Sequence, residues 1–165
     1  MWLAQHSCPA LPRVFDVSRR GYVMEELTEL PMNVLDWNAV RLELVRILEE
    51  HVWSRACDTD AEWSNFVSYL GNLGRTWAPD VEPVLVGMAH DLLGPEFHLI
   101  SQCLAHGDPT ASNVMLRTTG GLVLVDPDPT TYMPSSREVD LGKMLMSAWG
   151  YETLRFGWGR CWDEF

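Results

Sequence analysis

The sequence predicts a mixed α+β domain, and three observations carry that reading. Two pairs of short apolar segments flank glycine-containing turns, around Gly21 and around Gly120-Gly121. Three longer segments between them repeat apolar residues at three- and four-residue steps. A Ser-x-x-Glu pattern then opens one further helix. With 165 residues, of which 47% are hydrophobic and 21% charged, the chain has the apolar content for one packed core.

Each element follows from local chemistry. Arg13 to Phe15 and Tyr22 to Met24 flank Ser18-Arg19-Arg20-Gly21, where glycine can take the positive φ of a tight reversal, so a hairpin is expected. From Asn33 to about Ala56, Leu35, Trp37, Val40, Leu44, Ile47, Leu48, Val52 and Trp53 form the apolar stripe of an amphipathic helix. Trp37 and Trp53 read as core residues. Thr59-Asp-Ala-Glu62 is a capping box ahead of Trp63, Phe66, Val67 and Leu70, with Gly71 or Gly74 as the expected stop. Pro79 to Leu93 places Val81, Leu85, Met88 and Leu92 at helical spacing before Gly94-Pro95 breaks the pattern, and a short extended approach leads to His106. Asn113 to Leu116 and Leu122 to Val125 flank Thr118-Thr-Gly-Gly121 as a second hairpin. Ser135-Ser-Arg-Glu138 caps a last helix with Val139, Leu141, Met144, Leu145 and Trp149 on its apolar positions. No internal repeat, low-complexity tract or interdomain linker interrupts the series.

Composition removes several function classes. The net charge of −11 repels nucleic-acid phosphates and anionic membrane surfaces, so neither is an expected partner. No uncharged stretch has the length and polarity of a membrane span and no signal pattern opens the chain, which predicts a cytoplasmic protein. Cys8, Cys57, Cys103 and Cys161 form no metal-binding spacing and are expected as reduced thiols. His6, His51, His90 and His98 likewise show no ligand spacing. Glu25 and Glu26 are adjacent, so on a strand they face opposite ways and do not form an acid/base pair. Ser7, Ser64, Ser101 and Ser147 lack the glycine-flanked elbow of a serine hydrolase. The closing stretch from Phe156 to Phe165 is aromatic without periodicity, which suits packing on the domain or on a partner.

Chemistry concentrates in Cys103-Leu-Ala-His-Gly-Asp-Pro-Thr-Ala-Ser-Asn-Val-Met115 and in Leu122-Val-Leu-Val-Asp-Pro127. Phosphoryl transfer from a nucleotide needs a carboxylate near the attacking hydroxyl and oxygen donors that hold magnesium against the phosphates. Asp108, Asn113 and Asp126 offer that set: Asn113 follows Asp108 at the catalytic-loop spacing of kinases, and the second hairpin returns Asp126 toward them. Turn chemistry alone would explain one Asx residue here, but it does not require these spacings.

On these residues the sequence resembles the aminoglycoside phosphotransferase family with its fructosamine-kinase and choline-kinase-like relatives. The family's His-Gly-Asp loop and following Asn match His106-Gly107-Asp108 and Asn113. Its metal-binding strand end matches Val125-Asp126, and Arg137-Glu-Val-Asp-Leu-Gly-Lys143 looks like its later aspartate-leucine motif. The resemblance covers roughly Val14 to Glu152 and is most specific from Cys103 onward. It implies a protein-kinase-like fold, mostly the helical C-lobe over residues 28–165, with a residual N-lobe hairpin and hinge over residues 1–27.

The same resemblance implies an ATP-dependent phosphotransferase acting on a hydroxyl of a sugar, aminoglycoside or similar small acceptor, with Mg2+ and ATP as cofactors. Asp108 would be the catalytic base, with His106 organising its loop, Asn113 and Asp126 the metal ligands, and Asp140 structural support. The hinge backbone at Met24, Glu25, Glu26 and Leu27 would pair with adenine. The departures are as informative. Met1 to Arg13 contains no glycine and no lysine, the only lysine in the chain is Lys143, and fifteen residues follow Gly150. A truncated enzyme would draw its glycine-rich loop and strand lysine from a complementing chain. The rival expectation is a catalytically inactive kinase-fold remnant that binds a protein, or itself as a homo-oligomer, through the surface an N-lobe would cover.

Overall fold

The structure, a computed structural model, describes residues 8–30, 37–56, 63–77, 79–80, 82–128 and 135–147. It is a mixed α+β arrangement with two small antiparallel sheets. The first sheet is the expected hairpin: β1 (Val14–Ser18) pairs with β2 (Gly21–Met24), with Ser18 opposite Gly21. Gly21 takes φ +147°, and the Ser18 hydroxyl both accepts from the Arg20 N–H and donates to the Gly21 carbonyl. All nine residues of the two strands are exposed.

The second sheet contains the other expected hairpin, β4 (Val114–Arg117) with β5 (Leu122–Leu124), and a third strand that periodicity does not reveal. That strand is β3 (Leu27–Glu29), which pairs antiparallel with β4 from Leu27 opposite Arg117 to Glu29 opposite Met115. Three residues are too few to display alternation, and β3 forms because the outer edge of β4 supplies its partners. The division between residues 27 and 28 falls inside this strand.

The core gathers around α1 (Trp37–Leu48). Its Val40, Leu44, Ile47 and Leu48, with Val52 and Trp53 just beyond, pack against Ala10, Leu11, Leu30, Val114, Leu122, Leu124 and Met144. Leu44, Leu48 and Leu124 are fully buried, each contributing about 1.5–3 kcal/mol of apolar burial. The expected single helix changes pitch at its end: Glu49–Trp53 is a π-helical turn. The expected start at Asn33 lies outside the described residues, as do the Thr59–Glu62 capping box, Cys57, Cys161, Trp149 and the aromatic C-terminal stretch.

Two further helices form a packed pair, α2 (Trp63–Trp77) and α3 (Glu82–Leu93). Here the structure corrects the expectation that Gly71 or Gly74 ends α2. The helix runs through both because they sit where α3 approaches: a Cβ on Gly74 would lie 2.7 Å from Cβ and Cγ of Glu82. The apolar stripe expected on α3 also shifts. Met88 and Leu92 are exposed, and Ala89 is buried. Gly94 does end α3, its N–H bonding back to the Ala89 and His90 carbonyls. The stretch beyond it begins with a 3₁₀ turn, Phe97–Leu99, rather than extended chain. Phe97 stands 5.1 Å from the Trp63 ring and 5.8 Å from Phe66, joining this turn to α2.

The last helix, α4 (Arg137–Met146), starts one residue later than its capping box suggests. Ser136, not Ser135, is the N-cap, accepting from the Val139 N–H at 3.3 Å. Ser135 instead takes the Ala105 N–H on its hydroxyl and the Cys103 N–H on its carbonyl. Met144 faces the core, whereas Leu145 is exposed. Among the described residues, no helix is long and apolar enough to cross a membrane, and neither Cys8 nor Cys103 is in a disulfide.

Candidate active site

The residues from His106 to Asn113 form a tight turn that enters β4 through a 3₁₀ turn, Ala111–Asn113. Gly107 makes the turn possible. Its φ is +86°, and a Cβ there would fall 1.9 Å from the Asp128 carbonyl oxygen. The chain leaving β5 closes on the same place: Val125 N–H donates to the Asn113 carbonyl and Asp128 N–H donates to the His106 carbonyl. Asp126, between those bonds, is exposed and adopts φ +52°, the one described non-glycine residue with positive φ. Strained conformations of this kind persist where surrounding contacts over-determine them.

Asp108 lies on the open side of the turn. Its Oδ2 accepts from Asn113 Nδ2 at 2.8 Å, and its backbone carbonyl accepts from the same amide nitrogen at 2.9 Å. Its Oδ1 faces Lys143 Nζ at 3.4 Å, with both side chains about a third exposed. Because the Asn113 nitrogen is spent on Asp108, its Oδ1 is the atom that can serve a cation.

Helix α4 organises this turn from behind. Asp140 is completely buried, and its carboxylate accepts three N–H groups: Trp53 Nε1 at 2.8 Å, His106 at 2.9 Å and Gly107 at 2.7 Å. Burial pushes the Asp140 carboxyl above its ordinary range; the three donors act the other way, and the charge of Asp108 adds to the rise. Ser147, just past the helix, accepts the Ala111 N–H on its hydroxyl at 2.9 Å. Asp140, Lys143 and Ser147 thus form one helix face, at steps of three and four, that serves the turn at three points.

His106 is inside the turn rather than at its open side. Its ring is 1% exposed, Nδ1 accepts weakly from the Asp108 N–H at 3.3 Å, and Nε2 has no well-formed hydrogen bond among the described residues. Burial drives its pKa down to about 4 against the charge of Asp108 and looser pulls from the Val125 and Asp108 backbone, so the ring is neutral at pH 7.

The four residues expected to be a hinge connect β2 to β3. Met24 ends β2 and Leu27 opens β3. The Glu25 carboxylate accepts from Arg13 N–H at 2.8 Å and from Arg117 Nε at 3.0 Å, while Arg117 also donates to the Leu11 carbonyl at 2.8 Å. Burial opposes its ionisation, but these donors prevail and hold the Glu25 pKa below its ordinary value. Glu26 is exposed.

The donor set suits magnesium. Among the described residues no cluster of three or more His, Cys, Asp or Glu side chains could hold an ion alone. Mg2+ instead takes one or two protein oxygens and completes its shell with water and phosphate, and the Asn113 amide oxygen and Asp126 carboxylate are oxygens of that kind. Lys143 is the residue beside Asp108 that spacing did not assign to the site. Its signal is present, since it follows Asp140 by one helical step and shares its face.

No protein-family model, curated protein or solved structure matches the chain.

Proposed function

We propose that this chain is a small-molecule phosphotransferase of the aminoglycoside-phosphotransferase type, built on the C-lobe and hinge of a protein-kinase-like fold. The observation that carries the reading is the pair of hydrogen bonds that Asn113 Nδ2 donates to the Asp108 carbonyl and carboxylate, which orients one carboxylate oxygen outward and leaves the amide oxygen for a cation. In this reading Asp108 is the base for an acceptor hydroxyl, Asn113 and Asp126 hold Mg2+, and the backbone of Met24 to Leu27 receives adenine. The metal, when bound, neutralises charge on the phosphate oxygens. Asp140 and His106 do not touch substrate. They keep the turn in shape, Asp140 by collecting its N–H groups and His106 by filling its interior without charge.

The exposed hairpin β1–β2 favours a second reading, an inactive remnant that docks on a protein. Phe15, Val17, Tyr22 and Val23 are each more than half exposed, an apolar surface of the kind interfaces cover. Titration calorimetry with ATP and magnesium separates the two. The phosphotransferase reading expects saturable, magnesium-dependent binding that Asp126→Ala abolishes. No heat at millimolar ATP would remove the self-sufficient enzyme and leave the split enzyme or the docking module.

A further inference from the structure

We propose that Lys143 is a phosphate-binding residue that masks the base until nucleotide arrives: its ammonium rests on Asp108 Oδ1 and transfers to the terminal phosphate of the bound triphosphate. The inference rests on the phosphotransferase reading and adds to it a residue and an order of events.

The two oxygens of Asp108 have different neighbours. Oδ2 is held at 2.8 Å by an amide of its own turn, which has no reason to move during a reaction. Among the described residues Oδ1 is held only by Lys143, at 3.4 Å, which is longer than the 2.7–2.9 Å or so of a charge-assisted hydrogen bond. Oδ1 is therefore the oxygen able to take a proton, and it can do so only after the ammonium moves. Lys143 is equipped to move. It has a flexible stem with three donors and is 29% exposed, and it projects from a helix anchored one turn earlier by Asp140.

Electrostatics supplies the reason for the transfer. Asp126 and Asp128, both exposed, belong to the stretch whose backbone closes on the turn that carries Asp108, and the chain's net charge of −11 repels a polyphosphate. The neighbouring cation on α4, Arg137, is committed elsewhere, 3.0 Å from Glu49 and over the Trp53 ring. Lys143 is the cation already at the site, and a dianionic terminal phosphate is a stronger partner for it than a carboxylate shared with Asn113. In the transfer itself, the acceptor oxygen forms a bond to the terminal phosphorus and the bond from that phosphorus to the bridging oxygen of the nucleoside diphosphate breaks. The acceptor proton passes to Asp108 Oδ1, and Lys143 stays on the transferred group.

The test is calorimetric titration of Mg·ATP and of Mg·ADP into the wild-type chain, Lys143→Met and Lys143→Arg, with thermal melts to show that each variant is folded. The wild type is expected to bind ATP about tenfold more tightly than ADP, a difference of about 1.4 kcal/mol. Lys143→Met should bring the ratio to about one by weakening ATP alone, and Lys143→Arg should retain most of it. A ratio unchanged in Lys143→Met, or a wild type that binds both nucleotides equally, overturns the role of Lys143 and leaves the phosphotransferase reading intact. A wild type that binds neither nucleotide overturns the role of Lys143 together with the self-sufficient enzyme.

Discussion

The two β-hairpins have the same local grammar and opposite fates. Each joins two short apolar strands through a turn with glycine at positive φ, at Gly21 in one and at Gly120 and Gly121 in the other. In β1–β2 every residue is exposed, with Phe15 at 68% and Val17 at 69%. In β5 every residue is buried, and Val123 and Leu124 are fully so. The difference lies in what joins them. β4–β5 gains β3 on one edge and the α1 core on one face, whereas no further described strand pairs with β1–β2. Turn chemistry makes a hairpin, and only a third strand or a helix makes it part of a core. The turn that carries Asp108 enters the buried hairpin, so the candidate site inherits the rigidity of the better-packed sheet.

Four measurements break or sharpen that contrast. Asp140→Ala leaves the N–H groups of Trp53, His106 and Gly107 buried without their acceptor, and a loss of about 4 kcal/mol is expected in denaturant unfolding. Leu124→Ala opens a cavity at the centre of the core and should cost about 3 kcal/mol in the same assay. The third measurement is the pH dependence. His106 titrates near 4 when folded and at an ordinary 6.5 when unfolded, so between those values the unfolded chain binds more protons. Its contribution is complete above pH 6.5 and falls away with acid, by about 2.5 kcal/mol from pH 7.5 to pH 4.5. Asp140 has the opposite sign, because its raised folded pKa lets the folded state keep a proton longer as pH rises from the ordinary 3.8. Comparison of wild-type melts with His106→Gln isolates the histidine part as the slope that disappears. Val17→Thr in β1 is the small end of the scale, with an expected change within about 0.5 kcal/mol.

Much of this architecture was readable from periodicity and turn residues, and the failures have specific causes. The buried face of α1 follows its stripe from Val40 to Leu48 because one helix against a core obeys one period, and Val52 and Trp53 stay buried through the change of pitch that follows. On α3 the stripe misleads: Ala89 is buried and Met88 exposed, while the close approach at Gly71 and Gly74 is to Glu82 at the start of the helix. β3 is invisible since its strand character belongs to β4. Within the site, Asp108 and Asn113, singled out by their spacing, are in hydrogen-bond contact. The supporting role of Ser147 and the position of Lys143 needed α4 to be seen lying behind the turn, a tertiary fact that composition does not carry.

The π-helical turn at Glu49–Trp53 bears on how the chain tolerates changes in length. A π-helical turn is wound more loosely than an α-helix, so its angular step is below about 100°, but loss of one residue between Glu49 and Val52 would still rotate the Trp53 indole away from Asp140. The exposed turn from Thr118 to Gly121 could gain a residue with little consequence, since nothing packs on it. A deletion scan across both segments should therefore be sharply asymmetric. Single-residue indels are absorbed at the tip of the hairpin and rejected in the π-helical turn that follows α1.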